Sequence, residues 1–586
     1  MKYCFRVLVF TALAVLLGAC SRRPQGHALP EPPRVAQGQP GTAGGRLALG
    51  IPGNPRTFNP LLDADGASDA AIRLLFSPLV GISFDTQEPE PALAESWSVA
   101  PDQKTWTFKL RKNLRWSDGQ PLTADDVVFT WNDVMYNPKY NQITYDLFRF
   151  GGKNFEVTKV DDLTVRVVTP EVFAPFLEYF GSVVILPRHV LGLAVAGNQF
   201  LTAYGTNSNP AGIVGSGPFR LKDFEPGNVV HLEPNPEYWA VDKNGTRLPY
   251  FDSVELLVAD SPIGFQALFL DGKTAAYENV RPQDAWQFQQ AAASNHAQFV
   301  DLGVGVERDF FWFNQNTGSD ANGKPFVDPA KLKWFRDKKF RQAISCAINR
   351  DQIISQVYGG RAQAVYGFLS SDNKKWNNPN IPKFAYDPDK AAALLAEIGM
   401  TNHASDGTLA DAEGHPVEFS SLYSQENPAR QKIAELIAGD LKKLGIKFSP
   451  EPVNFPTLLR KINLTMDYES ASMGLGGGGL DPASQMNVLK SDAQLHQWFP
   501  SQQHPSTDWE ARLDSLMETQ MRTLDFAERK KAFDEAQAIW AEQIPMICLA
   551  APSSAAVIRT DIGNVRPAIA SAYHVTWNIE ELYFKK

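Results

Sequence analysis

Residues 91–131, PALAESWSVAPDQKTWTFKLRKNLRWSDGQPLTADDVVFTW, hold strand, turn and helix signals in close order. Trp106, Phe108 and Leu110 alternate with Thr105, Thr107 and Lys109, the period-2 pattern of a strand with one buried face. Residues 117–120 (SDGQ) make a turn in which Gly119 can take a positive φ. Thr123 can then cap a helix that carries Asp125 and Asp126 in its first turn, where carboxylates suit the helix dipole. Val127, Val128, Trp131, Val134 and Met135 supply its buried stripe. The stretch predicts an α/β segment and carries no catalytic pattern.

Four words of this stretch come in a characteristic order: LAESW at 93–97, Leu110-Arg111, SDG at 117–119 and TADDV at 123–127. In that order they resemble the hallmark of the family-5 solute-binding proteins of bacterial ABC importers, the dipeptide and oligopeptide binders and their relatives. NPRTFNPL at 54–61, GSGPF at 215–219, NPEYW at 235–239 and RLPYFD at 247–252 extend the resemblance. It runs from about Leu47 to the C-terminus. The fold it implies is α/β, two-lobed and periplasmic-binding-protein-like (type II, cluster C). An extra subdomain sits in lobe 1, and two strands cross between the lobes.

The expected division is a lipoprotein signal peptide at 1–19, a lipid-anchored disordered linker at 20–45 and lobe 1 at 46–77, 210–305 and 546–586. The extra subdomain takes 78–209 and lobe 2 takes 306–545. Two features of the N-terminus bear on this. Lys2 and Arg6 precede an apolar run at 7–17 that is too short to span a bilayer and reads as a secretory signal. Leu17-Gly18-Ala19-Cys20 follows and looks like a lipobox, with Cys20 carrying diacylglycerol. Residues 21–45 are rich in proline and glycine and poor in large apolar groups, a composition that does not offset its own ordering entropy. Such a tether reaches ~27 Å on the square-root rule.

Composition excludes several classes. At 586 residues the chain is too long for one core. A net charge of −9 without a basic run suits nucleic acid poorly. Nine histidines are scattered, with no His-x-x-x-His and no Cys-x-x-Cys, so no metal or other cofactor is expected. No Gly-x-Ser-x-Gly elbow or phosphate loop appears. Adjacent carboxylates such as Asp125 and Asp126 do not face each other on a helix, so a hydrolase pair is unsupported. Cys346 lies in a helical pattern and Cys548 in an apolar run. Both read as buried small hydrophobes, with a bridge between them as the alternative in an oxidising compartment.

MGLGGGGLDP at 473–482 contains four successive glycines. They cost chain entropy and add no packing, but they let a ligand's main chain come close. Relatives of the resembled family have a ligand loop here, and in peptide binders an aspartate in it pairs with the ligand's ammonium. Gly478 stands at that aspartate. The resemblance leaves Asp481, Asp467 or Asp65 to substitute, or a ligand with no free amine, such as an oligosaccharide.

The expected ligand residues are Asp65, Gly66, Ala67, Ser68, Trp312, Asn314, Arg361, Trp376, Tyr423, Gly476, Gly477, Gly478, Gly479 and Asp481. The expected function is a monomeric, membrane-anchored, extracytoplasmic receptor and not an enzyme. It captures a peptide or other oligomeric nutrient by hinge closure, and passes it to the transmembrane subunits of an ABC permease with their ATPase.

Overall fold

The computed structural model describes residues 26–62, 65–140, 148–150, 152–305, 307–476 and 479–586. The leader, Cys20, Gly477 and Gly478 lie outside the described residues. The hallmark stretch folds around its alternation. Strand Thr105–Leu110 buries Trp106, Phe108 and Leu110. It sits in an antiparallel sheet ordered Ala94–Val99, Thr105–Leu110, Thr164–Val168, Glu156–Asp161. Gly119 takes φ +86°. Thr123 caps helix Ala124–Phe129, with the Asp126 carboxylate accepting the Thr123 N–H at 2.9 Å.

The periodicity predicts one continuous helix, but a wider π turn follows at Thr130–Met135. The Thr130 hydroxyl donates to the Asp126 carbonyl (2.8 Å) and accepts from the Leu186 N–H (2.9 Å), so a side chain competes with the helical ladder. The turn aims Trp131 flat onto Phe180, 4.0 Å between centroids at 9°. In residues 183–186 the apolar run makes only an isolated bridge, from Val184 to Pro78.

Beside this subdomain lies a sheet ordered Phe219–Glu225, Val229–Pro234, Ser253–Val258, Arg46–Ile51, the last pair parallel. The GSGPF turn feeds it. A Cβ on Gly215 or Gly217 would sit 2.0 or 2.4 Å from the carbonyl oxygen of Leu75 or Leu74, so only glycine lets this turn cross the end of helix Gly66–Leu75. A further sheet places Ala550–Arg559 between Ala276–Val280 and Ala297–Val304. The C-terminal part of the chain thereby completes lobe 1.

Lobe 2 is built on a five-stranded sheet ordered Lys447–Val453, Glu418–Ser424, Ser470–Leu475, Arg308–Phe313, Met546–Cys548. All six residues of Arg308–Phe313 are buried. Phe311 and Phe313 enter one core, and Phe310 and Trp312 the other, because successive side chains leave opposite faces. The chain passes between lobes twice, from Ala297–Val304 to Arg308–Phe313 and from Met546–Cys548 to Ala550–Arg559.

One expectation needs correction. Residues 26–45 are not a disordered tether. Arg34–Val35 pairs in parallel with Ala240–Val241, Ala36 is buried, and the Gly38 and Gly41 N–H groups donate to Glu581 and Tyr250. Cys346 and Cys548 are both buried free thiols, as their apolar settings predict, and the alternative bridge between them is not formed. Burial pushes the Cys346 thiol up and the Cys548 thiol up to about 11, which suppresses the reactive thiolate. Differential alkylation with mass spectrometry should find both unmodified in the native protein and both modified after unfolding.

Candidate functional site

The two lobes face each other across a cavity of about 550 Å³. Lobe 1 contributes Asp301 and Leu302 of Ala297–Val304 and the segment 567–569, the subdomain contributes the turn 84–88, and lobe 2 contributes Asp372, Lys374 and Lys375. The contacts joining the lobes here are polar. Lys375 Nζ lies 2.6 Å from Glu88 Oε1, and Gln87 Nε2 donates to the Asp372 carbonyl at 3.5 Å. Farther along, the Ala174 N–H donates to the Met521 carbonyl (2.8 Å) and Arg522 pairs with Glu171 (3.4 Å).

The glycine loop lies at this junction. Asn373 Nδ2 donates to the Leu480 carbonyl at 2.9 Å, joining the cavity wall to the loop. Gly479 packs beneath Glu178 of the short subdomain helix Phe176–Tyr179, whose Oε1 would lie 2.8 Å from a Cβ at that position. The same oxygen accepts the Asp481 N–H at 3.4 Å. Gly474, near the end of strand Ser470–Leu475, leaves room for Arg430 and Glu307.

Several expected ligand residues are occupied inside their own lobe. Asp481 accepts from the Ala483 N–H (2.9 Å) at the start of the 3₁₀ turn Pro482–Gln485 and pairs with buried Arg529 at 2.7 Å. Asp65 caps Gly66–Leu75, accepting from the N–H groups of Ala67 and Ser68 and from the Ser68 hydroxyl. Asp467 is exposed and pairs with Lys461. Trp312 and Asn314 are fully buried, which removes both from any ligand surface. Trp312 donates to the Tyr468 hydroxyl, and Asn314 donates to the Met466 and Tyr468 carbonyls. Trp376 packs on Phe526 and Phe533, and Tyr423 lies in a lobe-2 core. Arg361 reaches across the crossing to Asp301 at 2.7 Å.

A smaller cavity of about 220 Å³ lies within lobe 1 beside Gly66, floored by Leu49, Ile51 and Tyr277. Arg73 forms one wall, its guanidinium 3.6 Å above the Tyr573 ring, whose hydroxyl donates to Asp69 at 2.5 Å. Glu278 accepts from the Val575 N–H and the Thr576 hydroxyl, and burial pushes its carboxyl up. Glu178, Asp301, Lys375 and Arg529 were not readable as site residues. Each stands at an ordinary polar position, and only the tertiary fold brings them together.

Two lobes, two crossings and a cavity between them are the architecture of a binding protein. The sequence profile described as "Bacterial extracellular solute-binding proteins, family 5 Middle" matches residues 88–497. The chain belongs to this family. Among relatives of this family-5 solute-binding protein, a probable ABC transporter-binding protein of Deinococcus radiodurans is 28% identical over 516 residues, 85% of each chain. The oligopeptide-binding protein AppA of Bacillus subtilis is 29% identical over 478 residues, 80% of this chain and 79% of that one. The structure of that AppA in complex with a nonapeptide superposes with a TM-score of 0.64 at 25% identity, covering 93% of this chain and 100% of the other. Among the described residues no helix is long and apolar enough to cross a membrane, and no group of His, Cys, Asp and Glu is arranged to hold a metal ion.

Proposed function

We propose that this family-5 protein is the extracytoplasmic receptor of an ABC importer, holding an oligopeptide between its lobes and handing it to the permease without chemical change. The observation that carries this reading is the cavity walled by both lobes and the subdomain. Polar contacts near the surface close it, and Met521 and Leu524 of lobe 2 add a small apolar contact with the subdomain core. Two short crossings supply the hinge, and a ligand that touches both lobes only when they are closed shifts the population to that state. The named function of the Bacillus relative supports a peptide as cargo. The moving bodies are residues 306–545 and the remainder of the folded chain, anchored through Cys20 and working as a monomer. The main chain of Gly476 and Gly479 meets the peptide backbone in strand-like fashion.

Thermal-shift measurements with peptide and oligosaccharide libraries test the proposal. Peptides should stabilise the protein by about 2.7 kcal/mol at one hundred times Kd, with no turnover. Stabilisation by glycans alone overturns the peptide, and consumption of either ligand overturns the transport reading.

A further inference from the structure

The smaller cavity inside lobe 1 has no part in the proposed function. All of its lining residues belong to lobe 1, so it is distinct from the cavity between the lobes. Leu49, Ile51, Leu256, Phe265 and Tyr277 give it an apolar floor, and the exposed residues Pro52, Gly66, Asn279 and Ala572 mark its mouth. Its volume is about 220 Å³. That exceeds the roughly 150 Å³ apolar cavity that accepts benzene and falls short of the roughly 300 Å³ at which ordinary ligand pockets begin. A single side chain the size of leucine or phenylalanine matches it.

One wall is charged, and its two charges are held apart. Asp69 and Arg73 stand four residues apart on helix Gly66–Leu75, a spacing at which acid and base normally pair. Tyr573 takes both instead. Its hydroxyl donates to Asp69 at 2.5 Å, and its ring lies 3.6 Å beneath the Arg73 guanidinium. Arg73 otherwise makes two contacts of 3.4 Å with Thr576, and its Nε–H is buried without a partner. The third charged group on the wall, Glu278, is already met on both oxygens by Val575 and Thr576. The wall therefore presents one carboxylate and one guanidinium, each short of partners, above an apolar floor. Charges in such a setting are unfavourable until opposite charges join them.

We propose that this cavity binds a free α-amino acid with an apolar side chain. The ligand carboxylate meets Arg73, its ammonium meets Asp69, and its side chain fills the floor. A plain carboxylate would face Asp69 and Glu278, and a plain amine would face Arg73. Only a zwitterion answers both signs on this wall. The cavity volume leaves no room for a peptide.

Calorimetry of the purified protein with leucine and phenylalanine tests the proposal. Two further titrants divide the leucine charges: isocaproate, which is leucine without its amine, and isoamylamine, which is leucine without its carboxylate. Each should bind at least about tenfold more weakly than leucine, the effect of losing one charged hydrogen bond. Arg73→Met should remove the preference for leucine over isoamylamine, and Asp69→Asn should remove the preference over isocaproate. Ala572→Trp changes an exposed residue at the mouth, so it should block binding of both amino acids while leaving the thermal midpoint unchanged. That variant separates this cavity from the one between the lobes and from any misfolding of the wall variants. Absence of amino-acid binding to wild type overturns the proposal, as does equal binding of leucine and its two analogues. Amino-acid affinity that survives in A572W places the ligand elsewhere and overturns it as well.

Discussion

Replacing Arg430 by alanine is expected to destabilise lobe 2 by about 3–5 kcal/mol, the usual cost of leaving a buried charge without its partner. Arg430 lies in the first turn of helix Pro428–Lys442, where the dipole disfavours a cation. Its reason for being there is Asp309. That carboxylate is 1% exposed, pairs with the Arg430 guanidinium and accepts the Tyr358 hydroxyl. Asp309 follows the first crossing, and its carbonyl accepts the Leu549 N–H of the second crossing at 2.8 Å. One buried ion pair therefore ties two helices to both passages of the chain. The Arg430–Glu307 contact, 3.5 Å long with Glu307 largely exposed, adds little by comparison. Urea unfolding of R430A should show the loss, and the double variant Asp309→Asn, Arg430→Met should recover much of it by removing the stranded charge. A loss below about 1 kcal/mol in R430A would place the pair in water instead.

What the sequence made legible was local. The alternation of Trp106, Phe108 and Leu110, the Gly119 turn and the Thr123 cap appear where their chemistry predicts. The apolar run at 310–313 is a strand with both faces covered. The N-terminal strap was not legible. Its order depends on partners more than 200 residues away, such as Gly41 on Tyr250 and Arg34 on Glu580, and composition reports only what a segment can bury by itself. The π turn at Thr130 depends likewise on Leu186.

The site was less legible than the fold for a related reason. Sequence pattern marks Trp312 as part of a strand but does not say whether either face is open, and here neither is. The capping signal at Asp65 is visible in DGAS, and the structure uses that carboxylate for capping. Glu178 sits in FLEYF with no neighbour to mark it. Its position matters only because helix Phe176–Tyr179 packs over a loop about 300 residues later.

The strap yields the second large loss, at Arg34, and this one varies with pH. Arg34 Nη1 lies 3.2 Å from Glu580 Oε1 and Nη2 lies 3.2 Å from Glu90 Oε1, with Glu581 at 3.9 Å. Burial opposes the guanidinium charge, but Glu580, Tyr238 and the other acids outweigh it and leave Arg34 above its ordinary value. Burial pushes the Glu580 carboxyl up even with Arg34 opposing it, so Arg34→Ala should push it further. A carboxyl raised in the folded state keeps a proton that the unfolded chain gives up near pH 4.5. The deficit of R34A is therefore small below that pH. It grows as pH rises and is complete above the folded-state value, at about 3 kcal/mol. Urea midpoints at pH 4 and pH 8 should converge with wild type at the lower pH and separate at the higher. A loss of equal size at both would mean that the strap is held by packing and backbone pairing with Ala240–Val241, and that the Arg34 charge contributes nothing.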